Sequence, residues 1–299
     1  MTLRIPRLIY FSAFAVILKI MLASTTLSAA ETTVAQLATS THFHGISVDQ
    51  ADPSRPYLAT HHGFYAVTLD GNAKRISSNQ NDYMGFTPHP TKPSVLFASG
   101  HPVGGGNMGI ITSTDRGKSW KKISAGANGP VDFHQMDASG ADPNVIFGVS
   151  GGLQMSRDGG RTWTVVGTAP EGTIDLSASA KSVTTVYAAT RRGIYGSVDN
   201  GRSWAPAYTL LKTATMVQVA SDKMLYAFLP GIGLIRTSEP PISWRVVAKE
   251  FGRSVVVHLA VDPTDSSKIY VITYDSQSRA HAALATRNGG KTWSKLGSK

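Results

Sequence analysis

The sequence predicts an all-β fold, a six-bladed β-propeller of four-stranded antiparallel blades, and three observations predict it. Four stretches are near copies of one another: Ser113-Thr-Asp-Arg-Gly-Lys-Ser-Trp120, Ser156-Arg-Asp-Gly-Gly-Arg-Thr-Trp163, Ser197-Val-Asp-Asn-Gly-Arg-Ser-Trp204 and Thr286-Arg-Asn-Gly-Gly-Lys-Thr-Trp293. A worn fifth copy is Thr237-Ser-Glu-Pro-Pro-Ile-Ser-Trp244. All five tryptophans close such a box, at intervals of 43, 41, 40 and 49 residues. Between boxes run short apolar, alternating segments bounded by turn residues. A repeat near forty residues built of short strands means blades rather than helical pairs.

Aligned on the boxes, the chain divides into blades at 41–78, 82–125, 131–168, 172–209, 213–248 and 254–296, forming one domain over 31–299. Blade openings such as Phe43-His-Gly-Ile-Ser-Val48, Phe133-His-Gln-Met136 and Val255-Val-Val-His-Leu-Ala-Val261 read as first strands. Second strands repeat visibly. Tyr57-Leu-Ala-Thr-His-His-Gly-Phe-Tyr65 of the first blade matches Tyr187-Ala-Ala-Thr-Arg-Arg-Gly-Ile-Tyr195 of the fourth. The first blade carries Leu69-Asp-Gly-Asn72 in place of a box.

Within a box, Asp accepts hydrogen bonds from the amides of its own turn and Gly supplies a positive φ. Ser/Thr-Trp then restarts a strand. Turn geometry therefore accounts for Asp115, Asp158 and Asp199 without a catalytic role. The pattern Ser/Thr-x-Asp-x-Gly-x-Ser/Thr-Trp resembles the Asp-box (BNR) repeat of sialidase-like propellers, found also in sortilin-type receptors and photosystem assembly factors. The resemblance covers nearly the whole mature chain and points to uncharacterised secreted bacterial proteins labelled as glycosyl hydrolases. It implies a propeller with its active site opposite the boxes.

Residues 1–30 read as a secretory signal. Arg4 and Arg7 precede the apolar run Leu8–Leu18, and Ser28 and Ala30 suit cleavage before Glu31. The run is too short for a transmembrane anchor. A secreted or periplasmic location is expected. The chain lacks cysteine, so no disulfide stabilises it and core packing must. Removing Arg4, Arg7 and Lys19 from a net charge of +10 leaves +7 on the mature chain. Many of those charges fall in box turns, and the tryptophans are committed to the boxes. Nucleic acid, which needs a basic patch with free stacking aromatics, is excluded as a partner.

In a four-stranded blade the boxes share one face with the turns between first and second strands. The opposite, upper face receives the starts of the first strands and the loops between second and third. It collects His42, His44, His61, His62, His101 and His134, the acids Asp82, Asp132 and Asp175, and the bases Arg191, Arg192, Arg253 and Arg279. His89 falls on the box face.

Three functions are compatible with that face. In the first, His44, His62, His101 and His134 converge on a transition metal, copper or zinc, with nearby methionines favouring copper. His42, His61, Asp175, Arg191, Arg192 and Arg253 then bind a small ligand. In the second, a glycoside hydrolase uses Asp82, Tyr83 and Asp132 on a glycan. Classical sialidase chemistry is disfavoured, because the family's Arg-Ile-Pro signature occurs only at Arg4-Ile-Pro6, inside the signal, and mature glutamates number four. In the third, the face holds a protein partner through Arg191 and Arg192.

Overall fold

The computed structural model describes residues 1–2, 32–241 and 243–297, and the expected signal segment lies outside the described residues. Six antiparallel sheets follow one another along the chain, each with its four blade strands in sequential order, the first with the short strand Thr32–Thr33 added at its outer edge. The innermost strands are Phe43–Val48, Asp82–Pro88, Met136–Ala138, Thr173–Ala178, Met216–Val219 and Val255–Asp262. Each is the first strand of its blade. Three further strands lie outward of it, and the boxes form the turns between third and fourth strands.

Side chains of a strand alternate between faces, so each blade offers an apolar surface to both neighbours. Among the described residues these surfaces form six buried clusters, one at each seam of the ring. The seam between the first two blades buries Tyr57, Phe64, Tyr83 and Leu96, for example. Polar side chains on the inner strands tie blade to blade. Asp137 accepts from Thr87 Oγ1 of blade two at 2.8 Å, and from Ser177 Oγ and the Ala178 amide of blade four at 2.8 and 3.0 Å.

The box turns have one construction. In three of them the box serine donates to the aspartate (Ser113 to Asp115, Ser156 to Asp158, Ser197 to Asp199, at 2.7–2.8 Å). The aspartate in turn accepts the amide four residues on, at 2.9 Å. Asn288 does the same in the last box. Burial works to raise Asp158, but hydrogen bonds from Thr162, Ser156 and the Arg161 amide outweigh it and hold the carboxyl at about 2. Gly201 resists substitution: its φ is +83°, and a Cβ would stand 2.0 Å from Leu153 Cδ2. The worn copy is rebuilt, with Glu239 buried and accepting the Ala180 amide at 3.0 Å.

Among the described residues, no blade combines strands from both ends of the chain. Thr32–Thr33 pairs with the outermost strand of the first blade, and a helix, Val34–Ser40, follows. Thr33 and Gln36 form a capping box at its start. Val34 and Leu37 pack into the seam between last and first blades together with Leu296. On the upper side of that seam the Phe43 amide donates to Nδ1 of His281 at 2.8 Å.

One sequence expectation is corrected. The segment opening blade three is a strand only from Met136; residues 132–135 are irregular. Packing explains this. Phe133 is fully buried, its amide held by Ser99 Oγ at 3.0 Å, and its carbonyl sits where a Cβ on Gly85 would be.

Candidate functional site

The upper mouth of the ring gathers histidines and carboxylates from adjacent blades. His44 lies in the first strand of blade one, where two residues oppose one on the partner strand: Phe43 pairs with Thr60 and Gly45 with Ala59, leaving His44 unpaired. Such a bulge re-aims a side chain. Here Nε2 of His44 stands 3.4 Å from Oδ1 of Asp82, the first residue of blade two's inner strand. His61, in the tight turn after blade one's second strand, places Nδ1 2.9 Å from Oδ2 of the same carboxylate.

A second cluster lies beside the first. Oδ2 of Asp132 has Nε2 of His134 at 2.6 Å and Nε2 of His101 at 3.0 Å. The irregular backbone over 132–135 allows Asp132 and His134, two residues apart, to meet. His101 ends the second strand of blade two, and its Nδ1 donates to the Gly106 carbonyl at 2.8 Å. That bond leaves Nε2 as the nitrogen turned toward Asp132. In each cluster, three ligand atoms lie within 4.8 Å of one another.

Burial sets the electrostatics. Asp82 is nearly enclosed, and burial raises its carboxyl above the ordinary range, the neighbouring Asp132 charge adding to this and the histidines opposing it. His44 is pushed down to about 3 by burial and by His258, His61, His281 and His42 around it. His258 and His281 are each pushed down to about 4, mainly by burial. The hydrogen bond to Asp132 raises His134 instead. Nε2 of His44, Oδ1 of Asp82 and Oδ1 of Asp132 are buried without a hydrogen-bond partner among the described residues. Orphaned buried polar atoms of this kind are costly and mark a place for a further group.

The expected metal set therefore divides. His44 joins one cluster, and His101 and His134 join the other. His62 joins neither: its Nδ1 pairs with Thr41 Oγ1 at 3.1 Å, and its neighbour His61 occupies the ligand position. His42 is exposed, its ring 5.3 Å from that of His281. Asp82 and Asp132, expected as acids of a hydrolase, are each engaged by two imidazoles. Tyr83 does not reach the mouth. It is fully buried between blades one and two, its hydroxyl donating to Asn79 at 2.8 Å. Asp175 lies in the inner wall, accepting the Val217 amide of the next blade at 3.0 Å, and burial pushes its carboxyl up to about 8. Arg191 and Arg192 are exposed on blade four. Arg253 is spanned by Gln277 at 2.6 Å and Asp275 at 3.3 Å.

Two of the methionines on that face stand in the walls. Met136 packs in the seam between blades two and three, and Met108 in that between one and two. Sequence reading passed over His258 and His281. Their signal was a histidine inside an otherwise apolar innermost strand, and one two residues after Arg279 at a strand start.

No protein-family model matches the chain. A probable oligoxyloglucan-reducing end-specific xyloglucanase of Neosartorya fischeri is 24% identical over 285 residues, covering 83% of this chain and 33% of the relative. The chain thus spans about a third of that protein. Among solved structures, a Niastella koreensis GH74 enzyme superposes with a TM-score of 0.57 at 19% identity, over 85% of this chain and 45% of that one. The GH74 xyloglucanase of Xanthomonas campestris gives 0.54 at 17% identity, over 90% and 46%. The structure of YCF48 bound to D1 peptide gives 0.52 at 14% identity, over 89% and 84%. These likenesses establish a propeller fold shared with GH74-type glycoside hydrolases. No helix among the described residues is long and apolar enough to cross a membrane.

Proposed function

We propose that this protein is a secreted propeller whose upper mouth binds divalent transition-metal ions at the two histidine-aspartate clusters. The observation that carries the reading is the pair of three-donor sets, His44/His61/Asp82 and His101/His134/Asp132. Imidazole nitrogen with carboxylate oxygen suits zinc or copper(II). Bonds of about 2.1 Å around a tetrahedral ion hold ligand atoms about 3.4 Å apart. The nitrogen–oxygen separations of 2.6 to 3.4 Å approach this, so small movements would admit an ion.

The orphaned atoms of His44, Asp82 and Asp132 support the reading, since a metal would satisfy them. So does the bond from His101 Nδ1 to the Gly106 carbonyl, the kind of outer contact that fixes a ligating imidazole. Three protein donors leave coordination positions open to an external ligand, unlike a closed structural zinc site. The test is elemental analysis of mature protein equilibrated with zinc(II) or copper(II) and then dialysed. Up to two equivalents are expected, and none in an Asp82→Asn/Asp132→Asn variant. Metal-free protein, or equal retention by the variant, would refute the reading.

A second reading is a hydrolase of oligosaccharides, supported by the xyloglucanase relative matched over most of this chain. Asp82 and Asp132 would be its carboxylates. It predicts turnover of xyloglucan oligosaccharides or aryl glycosides by metal-free protein, abolished by Asp82→Asn or Asp132→Asn. No turnover across a broad panel would remove it.

A further inference from the structure

We infer that the two clusters form one dinuclear centre, which takes a phosphate-type oxyanion across its two ions. This rests on the metal-binding reading above and adds to it. The clusters are not separate sites on remote blades. Both draw on blade two, and there Asp82 of the first cluster and His101 of the second are directly opposed partners on the first and second strands. Opposed residues of an antiparallel pair have Cα atoms about 5 Å apart. A ligand of one ion therefore stands beside a ligand of the other.

Charge identifies the external ligand. Each cluster contributes one carboxylate and two imidazoles, so two dications against two carboxylates leave a local charge of +2. Among the described residues, no other carboxylate completes either set. Asp175 is spent on backbone amides of blades four and five, and Asp275 on Arg253. The same face carries the exposed Arg191 and Arg192. An excess of positive charge with open coordination positions calls for an anion with several oxygens, able to bridge two ions as in two-metal phosphate chemistry. The outer members of the clusters leave a way in: the side chains of His61 and His134 are 52% and 54% exposed.

The experiment uses copper(II) as the probe metal and inorganic phosphate as the probe anion, on the full mature chain. Electron paramagnetic resonance is recorded as one and then two equivalents of copper are added. Coupling between neighbouring ions is expected to broaden the spectrum at the second equivalent and produce a half-field signal. His61→Ala and His134→Ala, whose side chains are more than half exposed, should each bind one equivalent without that signal. Phosphate should bind the doubly loaded protein about tenfold more tightly than either singly loaded variant. Two equivalents with additive, uncoupled spectra would overturn the dinuclear centre while leaving metal binding intact. Coupled ions indifferent to phosphate would overturn the oxyanion. Failure to bind copper at all would overturn both the centre and the reading beneath it.

Discussion

Nε2 of His101 stands 3.0 Å from Oδ2 of Asp132, while the other nitrogen of the same ring donates to the Gly106 carbonyl. Carbonyl and carboxylate are both acceptors. A proton or a metal ion between Nε2 and Oδ2 would satisfy both atoms, so the two compete for one position. Affinity for zinc should rise with pH as imidazole protons are displaced. His134 shares the oxygen, and its hydrogen bond to Asp132 raises its pKa above the ordinary 6.5. Proton resonances of His134 should titrate above that value in metal-free protein and fall back in Asp132→Asn. Without metal, this pair stabilises the fold fully below the unfolded pKa, and its contribution is lost as pH rises through the folded one.

His281 ties last blade to first through Phe43. His281→Ala leaves the Phe43 amide buried without an acceptor, at a cost of about 1–3 kcal/mol, measurable by urea unfolding. Burial also holds His281 at about 4. The unfolded chain then binds more protons than the folded one between about 4 and the ordinary 6.5. Stability should decline as pH falls through that window, and less steeply in the variant.

The inner wall has the opposite dependence. Burial raises Asp175 to about 8 and Asp137 to about 6. Both stay protonated in the fold where the unfolded chain has lost its proton. Their contribution is complete below the ordinary carboxylate range and declines as pH rises from about 4 toward 8. Asp175→Asn should flatten the upper part of the stability profile, and an unchanged slope between pH 6 and 8 would count against the assignment.

The two faces should separate in experiment. Gly201→Ala forces a Cβ into Leu153 at a positive φ, and should lower stability by more than about 1 kcal/mol. Metal stoichiometry should not change, because the box turns lie at the far end of the blades. A loss of metal in this variant, with the fold intact, would contradict the separation of structural and functional ends.

The blades were legible because box chemistry is local: a serine, an aspartate and a glycine within five residues determine the turn, and the period follows. The gathering of His44, His101, His134, Asp82 and Asp132 at one mouth was legible from strand order alone. The pairing within that mouth was not. Whether His61 or His62 turns inward depends on a two-residue loop, and His44 is aimed by a bulge that no periodicity announces. Asp132 and His134 meet because Phe133, anchored under Ser99, keeps their segment out of the strand. Tyr83 read as a surface phenol but is core, since its strand position faces the seam with blade one.

The central claim is that the mouth holds metal between named atoms, and anomalous scattering from crystals equilibrated with zinc(II) tests it most directly. The account predicts two peaks, one bonded at about 2.0–2.2 Å to His44, His61 and Asp82, the other to His101, His134 and Asp132. Zinc bound elsewhere, or no peak at either cluster at saturating metal, would contradict it.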